Sequence, residues 1–212
     1  MFLFLARLLC FLPIAIFHPT TIKGRKNIPK GKAILCINHL SNWDMVLYYL
    51  NTTKKVSVMA KQELFDNKIL GWALKCCGAF PVERETTDLK AIKKGLKVLN
   101  ENKKLMIFPE GKRMFDDSTV LGELKNGVAL FAIRTKSPIV PIWIEKRPKL
   151  FRRSYYHIGQ PYELSEFYGK KIDAELLSKA TEVVRQKMLE LRELVLQNKN
   201  KKKKKKIKEK SN

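Results

Sequence analysis

Cysteine is sparse in this sequence: four in 212 residues, Cys10, Cys36, Cys76 and Cys77, with no CxxC pair among them. That spacing builds neither a disulfide framework nor a redox motif, and buried thiols in a reducing cytosol are the expectation. Histidine is scarcer still, at three residues. His39 has no companion histidine or cysteine at ligand spacing, so no metal and no redox cofactor is expected. A GxSxG elbow is missing, which removes the usual serine nucleophile of an α/β hydrolase. Acidic residues are outnumbered, 20 against 43 Lys and Arg, for a formal charge of +23.

That surplus favours anionic partners: phosphorylated substrates, anionic lipid headgroups, an acidic protein or nucleic acid. The stretch 199–212 holds nine lysines against Glu209, a net +8, so the remaining chain still carries +15 of the total +23. The body is basic in its own right. Nucleic acid is the weakest of these partners, because the basic residues lack an interleaved aromatic platform and no nucleic-acid motif is present. The lysine run, poor in apolar residues, reads as a disordered polybasic tail. A chain of 212 residues suffices for one domain with a sizeable core.

Only the beginning holds a long apolar run. "MFLFLARLLCFLPIAIF", residues 1–17, is apolar apart from Arg7. As a straight helix it would reach roughly 26 Å, short of the ~30 Å hydrocarbon core, and Pro13 would disturb its second half. No basic residue precedes the run and no small-residue cleavage pattern follows it, so a removed signal peptide fits poorly. The expectation is a membrane-associating helix over 1–19 that lies in or dips into one leaflet, with Arg7 snorkelling to the headgroups. A core helix of the domain is the competing reading.

From residue 31 the chain alternates short β-like runs with helical patterns. "AILCI" at 33–37, "VSVMA" at 56–60, "LMIF" at 105–108 and "IVPIWI" at 139–144 are too continuously apolar to be half-exposed strands. Between them, Leu89, Ile92, Leu96 and Leu99 recur at helical spacing while Lys90, Lys93, Lys94 and Lys97 take the other face. Ile172, Leu176, Val183, Met188, Leu191 and Val195 mark a closing helix. Buried strands separated by amphipathic helices predict an α/β layered domain.

Two constellations at strand ends carry chemistry. In "INHLSNWD", His39 and Asp44 stand five positions apart. Ser41 followed by Asp44 has the form of a capping box, which accounts for the carboxylate but leaves the imidazole without a role. A histidine past a buried strand lies where α/β folds gather ligands, and a nearby carboxylate can fix its tautomer and stabilise its charged form. With no nucleophile at hand, the hydroxyl to be activated belongs to the substrate. In "IFPEGKRM", Pro109 and Gly111 force a turn that presents Glu110 beside Arg113, a place for an anion; a surface turn with a local ion pair is the bland alternative. "GAFPVER" delivers Arg84 after another apolar run, and two arginines at two strand ends suggest a phosphate pocket.

The ordered set "NHLSNWD", "GAFPVER", "FPEGKRM" and "IVPIWI" resembles the four blocks of the 1-acyl-sn-glycerol-3-phosphate acyltransferase family, over about residues 20–165. The resemblance implies an αβ domain with a central, mostly parallel or mixed sheet flanked by helices, here over 20–198, preceded by a membrane-associating element. It implies that His39 is the general base on a glycerol hydroxyl, that Asp44 supports it, and that Arg84, Glu110, Gly111 and Arg113 bind the glycerol phosphate. The acceptor implied is lysophosphatidic acid. Another lysolipid, or glycerol 3-phosphate itself, is the alternative. The donor implied is acyl-CoA or an acyl carrier protein thioester, serving as cosubstrate with no cofactor. An anionic membrane surface at the cytoplasmic face is the expected location. The third block departs from the pattern, with Lys112 and Met114 where hydroxyl residues usually flank the arginine. A thioester is already activated, so direct transfer without an acyl-enzyme is expected.

Overall fold

The computed structural model describes residues 14, 16–52, 56–76, 78–83, 88–113 and 121–209. Seven strands form one sheet: β1 Thr20–Lys23, β2 Ala33–Ile37, β3 Val56–Lys61, β4 Ala79–Val82, β5 Lys104–Ile107, β6 Ile139–Ile144 and β7 Ser154–Ile158, in the order β1-β7-β6-β2-β5-β3-β4. The five strands from β6 to β4 are parallel, whereas β7 runs antiparallel to β6 and carries β1 parallel to itself at the edge. The expected mixed sheet flanked by helices is the one observed.

Strand periodicity divides the core into two layers. Ile34, Cys36, Leu105, Ile107, Ile139 and Trp143 face one side. There they meet α3 (Leu89–Asn100), α4 (Gly127–Thr135) and α5 (Ala174–Lys208). Their neighbours Leu35, Ile37, Met106, Val140, Ile142 and Ile144 face the other. That side is covered by α1 (Trp43–Leu50) and α2 (Lys68–Cys76), through Leu47, Tyr48 and Leu74. All four strands predicted from apolar runs are present, and β2, β5 and β6 are buried at every position, as strands covered on both faces are. Strand β3 departs from the expectation, alternating buried with half-buried positions and ending on the exposed Lys61.

Three expectations need correction or lie out of reach. Leu89, predicted to face inward on α3, is 64% exposed. The buried face is Ala91, Gly95, Val98 and Leu99. Glycine is required at position 95 because a Cβ there would stand 2.6 Å from the Phe131 ring of α4, while Ile92 and Leu96 pack against the core beside this face. Second, the lysine run expected to be disordered from residue 199 continues α5, which ends at Lys208. Lysine is a good helix former, and Lys199 is tied to the body through Glu145 at 3.0 Å. Third, the N-terminal helix expectation falls mostly on residues 1–13 and 15, outside the described residues; of the remainder, Ile14 packs on the core while Ile16 and Phe17 are exposed. Among the described residues no helix is long and apolar enough to cross a membrane.

Candidate active site

The register of the central strands sets the site. Cys36 of β2 pairs with Ile107 of β5. His39 and Glu110 each follow three residues later, so both emerge level with each other at the C-terminal edge of the parallel strands, where α/β sheets place their ligands. Asn38 fixes the exit of the chain from β2: its Oδ1 accepts from the Ile144 N–H at 2.7 Å and its Nδ2 donates to the Ile144 carbonyl at 3.2 Å. The chain then turns into α1, with Asp44 in its first turn.

Asp44 is fully buried, and one oxygen does most of its work. Oδ2 accepts the N–H groups of Leu40 and Ser41, both at 2.7 Å, and lies 3.0 Å from His39 Nδ1. The Ser41 amide bond supplies one half of the expected capping box, but the other half differs: Ser41 Oγ accepts from Trp43 N–H at 3.3 Å, the Asp44 amide donates to the Ser41 carbonyl at 3.1 Å, and the residue at the N-cap of α1 is Asn42. The helix-cap role and the histidine-pairing role are therefore met by the same atom. A carboxylate only accepts hydrogen bonds, so Nδ1 carries the imidazole proton and Nε2 keeps its lone pair in the neutral ring. The ring plane is held as well, stacked on Phe108 with centroids 4.0 Å apart. Behind the pair, the buried Tyr156 donates its hydroxyl to the Asp44 carbonyl at 3.2 Å.

Glu110 sits in a tight turn closed by Gly111 N–H to the Phe108 carbonyl at 3.1 Å. Gly111 takes φ +65°, in the left-handed region that favours glycine, and the Lys125 side chain lies where a Cβ would project. Burial pushes the Glu110 carboxyl up to about 7, and the Asp44 charge adds to the rise. The amides of Gly122 and His39 and the charge of Lys112 pull it back in part. Beyond Glu110 and Gly111 opens a cavity of about 1190 Å³, lined by the 121–126 segment and by α5, with Lys112, Lys125, Lys179 and Arg185 on its walls.

The structure thus gathers His39, Asp44, Glu110 and Gly111. Arg113 is half-buried three residues beyond Glu110 on the same loop, and Arg84 lies outside the described residues. Cys36, on the strand beneath, is no nucleophile: its side chain belongs to the opposite core layer and burial drives its thiol strongly upward. Sequence reasoning missed the roles of Asn38, Phe108 and Tyr156. The first two stand inside the quoted motifs, but their contacts join elements far apart in the chain.

Comparison with known proteins bears on this arrangement. The family profile described as Acyltransferase matches residues 19–145. A 1-acyl-sn-glycerol-3-phosphate acyltransferase of Bacillus subtilis is 32% identical over 179 residues, covering 80% of this chain and 86% of its own. One from Streptococcus pneumoniae is 39% identical over 111 residues, 51% of this chain, and the match spans only 40% of that relative's length. The crystal structure of the 1-acyl-sn-glycerophosphate acyltransferase of Thermotoga maritima superposes with TM-score 0.62 over 88% of this chain and 81% of its own, at 21% identity, which establishes likeness of fold.

Proposed function

This chain belongs to the acyltransferase family, and on that premise we propose that it moves an acyl chain from an acyl thioester to the sn-2 hydroxyl of 1-acyl-sn-glycerol 3-phosphate, forming phosphatidic acid. The observation that carries the reading is the buried His39–Asp44 pair at 3.0 Å, which leaves Nε2 as the one basic ring atom at the strand end. The relatives from B. subtilis and S. pneumoniae bear that activity in their names.

The acceptor hydroxyl gives its proton to His39 Nε2 as its oxygen bonds the thioester carbonyl carbon. The resulting imidazolium is stabilised by Asp44, whose Oδ2 is already fixed by two backbone amides. Collapse of the tetrahedral intermediate breaks the C–S bond, and the proton passes from His39 to the departing thiolate. No enzyme nucleophile enters, in keeping with the inert Cys36. Arg84 and Arg113 are assigned to the glycerol phosphate as charge-assisted donors. Glu110 has a role beside an anion because its carboxyl, at about 7, is partly protonated near neutrality and can donate to a phosphate or glycerol oxygen. The donor is acyl-CoA or an acyl carrier protein thioester, and the reaction is placed at the cytoplasmic face of a membrane, to which the apolar run 1–17 attaches the enzyme.

A substrate panel tests the reading. Purified protein is offered lysophosphatidic acid, glycerol 3-phosphate and an unphosphorylated lysolipid, each with acyl-CoA and with acyl carrier protein thioester. The expected result is the highest kcat/KM on lysophosphatidic acid with at least one donor. A preference for glycerol 3-phosphate would move the activity to that acceptor, and no transfer to any acceptor would remove it.

A further inference from the structure

The antiparallel turn of the sheet brings a second feature to the edge that holds the site. Because β7 and β1 run against the parallel strands, Ser154 and Thr20 begin their strands at the edge where β2 and β6 end. The β6–β7 connection and the segment that precedes β1 therefore flank His39 and Trp43. The connection is a narrow finger, closed by the bridge between Lys149 and Arg152, with Leu150 and Phe151 at its tip. Those two residues are 61% and 72% exposed. Phe151 also takes φ +57°, a left-handed conformation uncommon for a bulky residue, in which glycine or asparagine would sit without strain. The exposed aromatic is thus retained where the backbone disfavours it.

The finger is not isolated. Phe151 N–H donates to the Phe17 carbonyl at 2.7 Å, and the two rings meet edge-on at 5.4 Å. Phe17 ends the apolar run of residues 1–17. Around the tip, five cations lie between Lys146 and Arg153 with no acid among them. The acid at the base, Glu145, is occupied by His157 at 2.7 Å and Lys199 at 3.0 Å, and Lys199 opens the lysine run of α5. Exposed apolar side chains ringed by cations, continuous with an apolar run, match an interface that is oily inside and anionic at its surface.

We propose that the 146–153 finger inserts Leu150 and Phe151 into an anionic lipid bilayer while its cations meet the headgroups, setting the mouth of the His39 site against the membrane. An acidic carrier protein would satisfy the cations but would leave the apolar pair unexplained beside Ile16 and Phe17. The proposal extends the reading of this chain as a lysolipid acyltransferase, and its test is made by binding alone, so the two can fail separately.

The full chain is floated with vesicles of phosphatidylcholine alone and of phosphatidylcholine with phosphatidylglycerol, across a salt series. The test variant is Leu150→Ser with Phe151→Asn, asparagine being chosen because it tolerates φ +57° and keeps the turn intact. With an unchanged melting temperature, its partition onto mixed vesicles should fall about tenfold or more, the scale on which one or two inserted apolar side chains count. Lys149→Gln should weaken binding to mixed vesicles only, with the difference fading as salt rises. Lys103→Gln, at the opposite edge of the sheet, should leave binding unchanged. Equal partition of the finger variant and the wild type onto mixed vesicles would overturn the proposal. So would a loss seen only toward an acidic carrier protein.

Discussion

Two histidine–carboxylate pairs lie among the described residues, and the shorter one is assigned no catalytic role. His157 Nε2 stands 2.7 Å from Glu145 Oε1, while His39 Nδ1 stands 3.0 Å from Asp44 Oδ2. In the first pair the carboxylate, just past the end of β6, also takes Lys199, so Glu145, His157 of β7 and Lys199 of α5 saturate one another. In the second, the carboxylate is fixed from behind by two backbone amides, the ring is held flat on Phe108, and the His39 amide, not its ring, reaches Glu110. Contact distance does not separate a clasp from a base. What separates them is which ring nitrogen is engaged, and whether the carboxylate's other partners are backbone or another charge.

The contrast is broken most severely at Asp44. Asp44→Asn can still accept the Leu40 and Ser41 amides, but it carries no charge to stabilise the imidazolium. Acyl transfer should drop by about two to four orders of magnitude while the melting temperature moves little. Steady-state kinetics beside a thermal melt read both quantities. Activity close to wild type would leave Asp44 only its helix-capping role.

Glu110 sharpens the comparison through pH. Its free value is 4.5 and burial carries it to about 7, so the fold favours the protonated form. Stability from this group is therefore complete below 4.5 and is lost as pH rises through about 7. Glu110→Gln keeps the neutral shape at every pH. It should match the wild type near pH 4 and exceed it at pH 8 by about 2–3 kcal/mol, as measured by denaturant unfolding at the two pH values.

Glu145 bears the opposite sign. The hydrogen bond with His157, with Lys199 assisting, holds its carboxyl at about 2 against a free value of 4.5. Its contribution is present above 4.5 and is lost as pH falls through about 2. Glu145→Gln should therefore cost on the order of 1–2 kcal/mol at pH 6, a gap that narrows as both proteins are acidified. A gap constant with pH would mean that packing, not charge, holds α5 to the sheet.

How far this was legible in the sequence follows from the same physics. Strands β2 and β6 announce themselves because every position is buried and none is polar. Strand β5 is as buried but opens on Lys104, and β3 alternates buried with half-buried positions yet fills most of them with apolar residues. Strand β7, "SYYHI", alternates buried and half-buried positions and fills them with tyrosine and histidine, so no apolar run marks it. On α3 the leucine spacing holds for Leu99, which is buried, and for Ile92 and Leu96, which pack against the core, but not for Leu89; what the spacing hides is Gly95, where the Phe131 ring stands in the place of a Cβ. His39 and Asp44 were readable as a local motif. Their supports, Asn38 to Ile144 and Tyr156 to Asp44, span more than a hundred residues and depend on the sheet order.

The central assignment, that His39 and not His157 is the base, is tested most directly by a paired substitution in one assay. His39→Ala and His157→Ala are purified, and each is measured for acyl transfer to lysophosphatidic acid and for melting temperature. The expected result is that His39→Ala loses about two to four orders of magnitude in kcat with a near-native melt, while His157→Ala melts lower and keeps its rate within a few-fold. Near-native transfer by His39→Ala, or an equal loss in both variants, would contradict the assignment.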